Sequence, residues 1–186
     1  IRSERIKKLE KLQDPYPAST RRTHLIAEVL KKFGSLAKSK KKISLVGRVM
    51  AKREHGGSMF LDIQDGTGKI QVYLKEDMLG DGYRHALDSV DIGDFLEVAG
   101  KAFKTKRGEP TLEVSKWRML AKSLRPLPEK WHGLQDVEER FRRRYLDLLM
   151  NPEVRARFEA RSKIIKTLRD FFEKNGFWEV ETPMLH

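Results

Sequence analysis

The sequence predicts a mainly β fold: a five-stranded Greek-key barrel with helices before it and the first helix and strand of an α+β domain after it. Three observations carry this. From Ile43 to about residue 120 apolar residues recur at every second position, the period of a half-buried strand, whereas the flanking segments repeat every three or four. Turn residues at His55-Gly56-Gly57, Asp65-Gly66-Thr67-Gly68 and Thr105-Lys106-Arg107-Gly108-Glu109-Pro110 cut that stretch into short strands. A helical pattern interrupts the strands after the third of them.

Taken in order, residues 1–12 place Ile6, Leu9 and Leu12 three apart among basic residues, a thin apolar stripe that should end at Asp14-Pro15-Tyr16-Pro17. A second helix is expected over 24–38, with Leu25, Val29, Phe33 and Leu36 on one side, and the Lys-rich run to Lys42 reads as a linker. Strands follow at 43–53, 58–64 and 69–75, a helix at 76–89, then strands at 94–104 and 111–120. Three strands, a helix and two strands is the order of an OB barrel, which binds oligonucleotides or oligosaccharides on strands 2 and 3 and on the loops joining strands 1 to 2 and 4 to 5. A linker covers 126–150, its charged part read as a solvated helix. From Asn151-Pro152 to Asn175-Gly176 caps frame a helix with Val154, Phe158, Ile165, Leu168 and Phe172 on one face, and a short strand at 177–180 follows. The expected units are thus a basic extension (1–42), the barrel (43–125), the linker (126–150) and the start of another domain (151–186).

Composition narrows the function. The 186 residues carry no cysteine, which excludes a disulfide framework and a thiolate zinc site. No apolar run nears the roughly 20 residues of a membrane span, so a soluble, reducing, cytoplasmic setting without a membrane partner is expected. The net charge is +12, and residues 1–42 hold 13 Lys and Arg against four Asp and Glu, while 43–125 hold 14 against 12. A basic extension beside a nearly balanced body fits a polyanion partner or a solvated tail. The five histidines show no ligand spacing, Asp65–Gly68 lacks the end of a phosphate-binding loop, and no metal site or catalytic constellation is expected.

In strand 2 Met59, Leu61 and Ile63 share one face, which puts Phe60 with Asp62 and Gln64 on the other; in strand 3 Gln71 and Tyr73 point outward. An exposed ring beside an amide can stack a base and pair with its edge. The alternative for Phe60 is packing beneath the N-terminal helices, and for Arg53 a surface ion pair. Lys104, Lys106 and Arg107 lie where a phosphate backbone would pass, or form an ordinary charged hairpin tip. Glu109 could accept a hydrogen bond from a base or balance its basic neighbours.

Together these segments resemble the N-terminal part of a bacterial-type lysyl-tRNA synthetase, a class II aminoacyl-tRNA synthetase. The matching stretches include Asp14-Pro15-Tyr16-Pro17, Leu45 to Met50, Gln64-Asp65, Phe103 to Lys106, and Leu124 to Pro128 leading through Lys130-Trp131-His132-Gly133 to Arg144-Tyr145-Leu146-Asp147-Leu148. Gly176-Phe177 through Pro183-Met184 looks like motif 1, which builds the family's dimer interface. Aspartyl and asparaginyl enzymes share the barrel; the Trp131–Leu134 segment points to lysine. The resemblance implies that the barrel binds the anticodon arm of lysine tRNA, with Phe60 stacking the central uridine, Arg53 and Gln71 reading its edge and Glu109 on a neighbouring base. It implies a homodimeric parent lysine–tRNA ligase using ATP and Mg2+. The stretch reads as a piece ending after motif 1, expected to bind the anticodon, to hold no cofactor and not to catalyse. The other readings are a single-stranded nucleic-acid module without codon preference and a fragment of an aspartyl or asparaginyl enzyme.

Overall fold

The computed structural model describes residues 2–128 and 134–184, in two compact units that divide at about residue 126. The Lys130-Trp131-His132-Gly133 segment therefore lies outside the described residues.

The first unit is built on five strands, β1 (Lys42–His55), β2 (Ser58–Gln64), β3 (Lys69–Lys75), β4 (Phe95–Lys104) and β5 (Pro110–Ala121). They close in the order β1-β2-β3-β5-β4, with every pairing antiparallel except β3 with β5. Closure leaves no free sheet edge, and alternation sends Leu45, Met59, Leu61, Ile63, Val72, Leu74, Leu96, Val98, Leu112 and Met119 into a fully buried core. A bulge where β4 meets β5 is fixed by Gly100: a Cβ there would stand 1.9 Å from the Glu113 carbonyl oxygen.

Helices cover the outside. α1 (Arg2–Glu10) buries Leu9, and its Arg2 Nη1 donates to the Ser123 and Arg125 carbonyls, both at 3.0 Å. It stops at Glu10 rather than running to the Asp14-Pro15 break, because Leu12 and Gln13 both turn their N–H groups back onto the Leu9 carbonyl and leave Leu12 exposed. The helix expected over 24–38 divides at Lys32 into α2 (Ile26–Lys31) and α3 (Phe33–Ser39). The N-terminus of α2 is satisfied from the barrel: Ile26 N–H donates to Asp65 Oδ2 at 3.0 Å and Ala27 N–H to Thr67 Oγ1 at 3.1 Å. The helix expected at 76–89 is likewise two, α4 (Glu76–Leu79) and α5 (Asp81–Ser89), because Gly80 turns to φ +53° between them.

A buried ion cluster ties the ends of this unit together. The Lys122 ammonium, fully buried, donates to Asp94 Oδ2 at 2.6 Å, to Asp91 Oδ2 at 2.5 Å and to the Ser89 carbonyl at 2.7 Å. Arg5 of α1 pairs with the same Asp91. Burial pushes the Asp91 carboxyl up, but its bonds to Lys122 and Arg5 prevail and hold it below the ordinary range.

The second unit contains α6 (Val137–Arg142), α7 (Arg144–Met150) and α8 (Pro152–Lys174). The expected linker is thus partly helical: Asp136 caps α6 by accepting from Glu139 N–H at 2.7 Å, and buried Asp147 of α7 accepts from Arg140, Arg144 and Asn151. Helix α8 ends in a Schellman turn, with Gly176 at φ +82°, its N–H on the Glu173 carbonyl and Phe177 N–H on that of Phe172. The strand expected at 177–180 does not form; a strand needs a partner for its backbone groups, and none lies beside it among the described residues.

Candidate nucleic-acid interface

The outer face of β2 and β3, together with the β4–β5 loop, forms an open cleft of about 550 Å³ lined by Arg53, Phe60, Asp62, Gln71, Thr105, Lys106, Arg107 and Glu109. Six of the seven barrel residues singled out from sequence line it; Lys104 alone does not.

Strand register explains the convergence. Phe60 of β2 pairs with Tyr73 of β3, and Asp62 with Gln71, which in turn pairs with Thr111 of β5. Two cross-strand rows therefore run over one face, an aromatic row and a polar row. The Phe60 and Tyr73 rings stack with centroids 4.7 Å apart and planes 26° off parallel, and Phe103 leans on Tyr73 at 6.1 Å. Phe60 packs against a neighbouring strand residue and is half-buried; α2 and α3 approach β3 and β4 instead, so it is not beneath the N-terminal helices.

Gln71 differs from expectation, and Arg53 makes the ion pair that was its alternative. Gln71 is buried, 8% exposed, rather than outward and open. Its Nε2 donates to Glu109 Oε2 at 3.0 Å, and its Oε1 lies 3.0 Å from the Thr111 hydroxyl. One amide hydrogen and one lone pair remain for a ligand, in an orientation fixed by these partners. Arg53 pairs across the strands with Asp62, Nη2 to Oδ1 at 2.9 Å, while Lys69 Nζ reaches Oδ2 at 3.3 Å. Burial raises the Asp62 carboxyl, but the hydrogen bonds and charges of Arg53 and Lys69 outweigh it and hold it below the usual range. Arg53 is half-exposed and keeps free N–H donors, so the ion pair orients the guanidinium without consuming it.

The β4–β5 loop closes one side. Thr105 N–H donates to the Glu109 carbonyl at 3.1 Å and Gly108, at φ +82°, returns its N–H to the Thr105 carbonyl at 2.8 Å. This tight tip holds Lys106 and Arg107 at the rim and Glu109 against Gln71. Thr111, Tyr73 and Phe103 complete the face. Tyr73 was readable as outward from alternation; Thr111 was not, because the parallel β3–β5 pairing that delivers it has no local signal.

In the second unit Gly176 and Phe177 form the α8 cap, with the Phe177 ring 5.6 Å from Phe172. Ile164, Leu168, Phe171 and Trp178 are exposed, Trp178 by 91%, and Pro183 lies outside any helix or strand. Among the described residues no group of three or more His, Cys, Asp or Glu could hold a metal ion, and no helix is long and apolar enough to cross a membrane.

A closed five-stranded barrel whose β2–β3 face joins rings, an oriented amide and a basic loop defines an OB-type nucleic-acid-binding domain, here followed by the opening of a second domain. Comparison agrees: residues 43–120 match the model of the OB-fold nucleic acid binding domain, tRNA anti-codon type, and residues 136–186 that of the class II tRNA synthetases (D, K and N). The chain is 50% identical over its whole length to a lysine–tRNA ligase of Carboxydothermus hydrogenoformans, of which it covers 38%. It is 45% identical over 98% of its length to that of Moorella thermoacetica, and 43% over 96% to that of Oceanobacillus iheyensis, covering 38% and 37% of them. Along its whole length the chain is homologous to lysine–tRNA ligases, and it spans under two-fifths of the length of these relatives.

Proposed function

We propose that the β2–β3 cleft binds the anticodon of lysine tRNA, as the anticodon-reading region of an enzyme that activates lysine with ATP and Mg2+ and transfers it to that tRNA. The observation that carries this is the convergence of Phe60, Arg53, Gln71 and Glu109 on one cleft. The half-buried Phe60 ring, which lines the cleft and is backed by Tyr73, offers a stacking platform for the central base. The remaining donor and acceptor of Gln71 and the free donors of Arg53 can meet the edge of that base, while Glu109 can accept from a neighbour. Lys106 and Arg107 supply phosphate contacts, which position the RNA without reading sequence.

Aspartyl and asparaginyl enzymes belong to the same matched family model, and the identities to lysine–tRNA ligases favour lysine. Binding of UUU, GUC, GUU and scrambled anticodon stem-loops tests the choice: UUU should bind tightest, and equal affinities would support a barrel that binds single strands without preference.

These 186 residues alone are proposed not to form lysyl-adenylate, since no constellation of groups among the described residues could run that step. Lysine-dependent ATP/pyrophosphate exchange by this chain would contradict it. The exposed apolar face of α8 with Phe177 and Pro183 is proposed as part of a homodimer interface, and the setting as cytoplasmic.

A further inference from the structure

A second polar cleft, of about 290 Å³, lies on the outer face of β1, β4 and β5 and shares no residue with the first. Register builds it. Ser44, Ala99 and Lys116 form one cross-strand row, and small Ala99 in the middle leaves the floor open between two longer neighbours. One row further along, Glu97 accepts from Arg118 Nη2 at 2.8 Å. The segment Ser19–Thr23 walls one side: Thr23 exchanges hydrogen bonds with the Ser44 backbone, Arg21 N–H donates to Glu97 at 2.8 Å and Arg118 Nη2 to the Ser19 carbonyl at 2.9 Å. Arg21, Lys42 and Lys116 add positive charge around the same opening.

Two groups in this cleft have no partner. The Ser44 hydroxyl, in a residue only 6% exposed, and the Arg118 Nε–H are buried and unbonded. A buried donor left unmade costs about 1–3 kcal/mol, so such groups are exceptions that call for a ligand. Lys42 and Lys116 make no side-chain hydrogen bond or ion pair among the described residues. Four cations stand against the single carboxylate of Glu97, itself already bonded to Arg118 and to Arg21 N–H. Unmade donors beside uncompensated cations suit a compact oxyanion with several acceptor oxygens.

We infer that this cleft is a phosphate-binding site, distinct from the anticodon cleft, that engages an RNA backbone phosphate through Ser44, Lys116 and Arg118. It lies about 16 Å back along β4 from the β4–β5 tip, five residues at ~3.3 Å each, so RNA leaving the first cleft could reach it. The site stands whether or not the anticodon reading holds.

The test follows backbone amide resonances of the chain during titration with inorganic phosphate and, separately, with a blunt RNA duplex that has no loop. Saturable shifts at Ser44, Ala99 and Lys116 with the duplex are expected. Shifts with phosphate but not the duplex would keep an anion site and overturn its assignment to RNA; none with either would overturn the site. Lys116→Ala should lower duplex affinity roughly tenfold and reduce the slope of log K against log salt by about 1. Ala99→Leu fills the floor without changing charge and should abolish the shifts. Unchanged duplex binding in Ala99→Leu would show diffuse attraction and contradict the proposal. Phe60→Ala should leave all of these readings as they are.

Discussion

The carboxylate of Glu109 holds the amide of Gln71, Oε2 accepting from Nε2 at 3.0 Å, while the Thr111 hydroxyl sits 3.0 Å from the other end of the same amide. An unrestrained glutamine can present either end to a base, and its amide would read nothing reliably. Glu109 is acceptor-only when ionised, so Nε2 must face it, and the Thr111 proton then meets Oε1. Glu109 thus serves the proposed anticodon cleft by positioning Gln71 as well as by any contact of its own.

Thr111→Val keeps the shape and removes the hydroxyl. It should leave Gln71 Oε1 unsatisfied, destabilise the barrel by about 1–3 kcal/mol, and narrow the affinity gap between UUU and scrambled stem-loops. Denaturant unfolding and stem-loop titration measure the two effects; loss of stability with an unchanged gap would confine Thr111 to a structural part.

Gly100→Ala drives a methyl into the Glu113 backbone, whose carbonyl oxygen would be 1.9 Å away. Backbone cannot swing aside as a side chain does, so the β4–β5 bulge must open, at roughly 1–3 kcal/mol or more. Thermal unfolding should show a lowered midpoint; an unshifted midpoint would mean that the bulge relaxes freely.

Acid should destabilise the first unit. Asp62, Asp65, Asp91 and Glu97 are all held below the ordinary carboxylate range in the folded protein: burial pushes each up, but hydrogen bonds outweigh it, joined by nearby cations at Asp62, Asp91 and Glu97 and made wholly by Thr67 and the Ile26, Thr67 and Gly68 N–H groups at Asp65. A carboxyl depressed on folding contributes stability that is complete above its unfolded value, about 4, and is lost as pH falls toward the folded value. Unfolding free energy should therefore be level near neutral pH and fall below about pH 4–5. Asp91→Asn should flatten part of that fall, and an identical acid profile would remove the Lys122–Asp91 cluster from the cause.

Much of this was legible in the sequence because alternation is a local rule. Placing Met59, Leu61 and Ile63 inward fixes Phe60 and Asp62 outward, and the four-residue turn at Asp65–Gly68 sets the β2–β3 register that brings Phe60 onto Tyr73. What escaped depends on long-range closure or on single backbone angles. Thr111 reaches Gln71 only through the parallel β3–β5 pair, and that contact turns an outward Gln71 into a buried one. Gly80 and Lys32 break helices whose apolar spacing runs on unaltered. Phe177–Val180 has strand-like residues but lacks, among the described residues, the neighbour that would make it a strand.

The central claim is that Phe60 stacks an anticodon base, and Phe60→Ala tests it most directly when binding of a UUU anticodon stem-loop is measured beside a scrambled loop. Loss of a stacking ring should weaken UUU binding by about 1–3 kcal/mol, roughly 5- to 150-fold, and affect the scrambled loop less, with the barrel still folded. Unchanged UUU affinity in a folded Phe60→Ala protein would show that the ring serves only to pack against Tyr73 and would contradict the account.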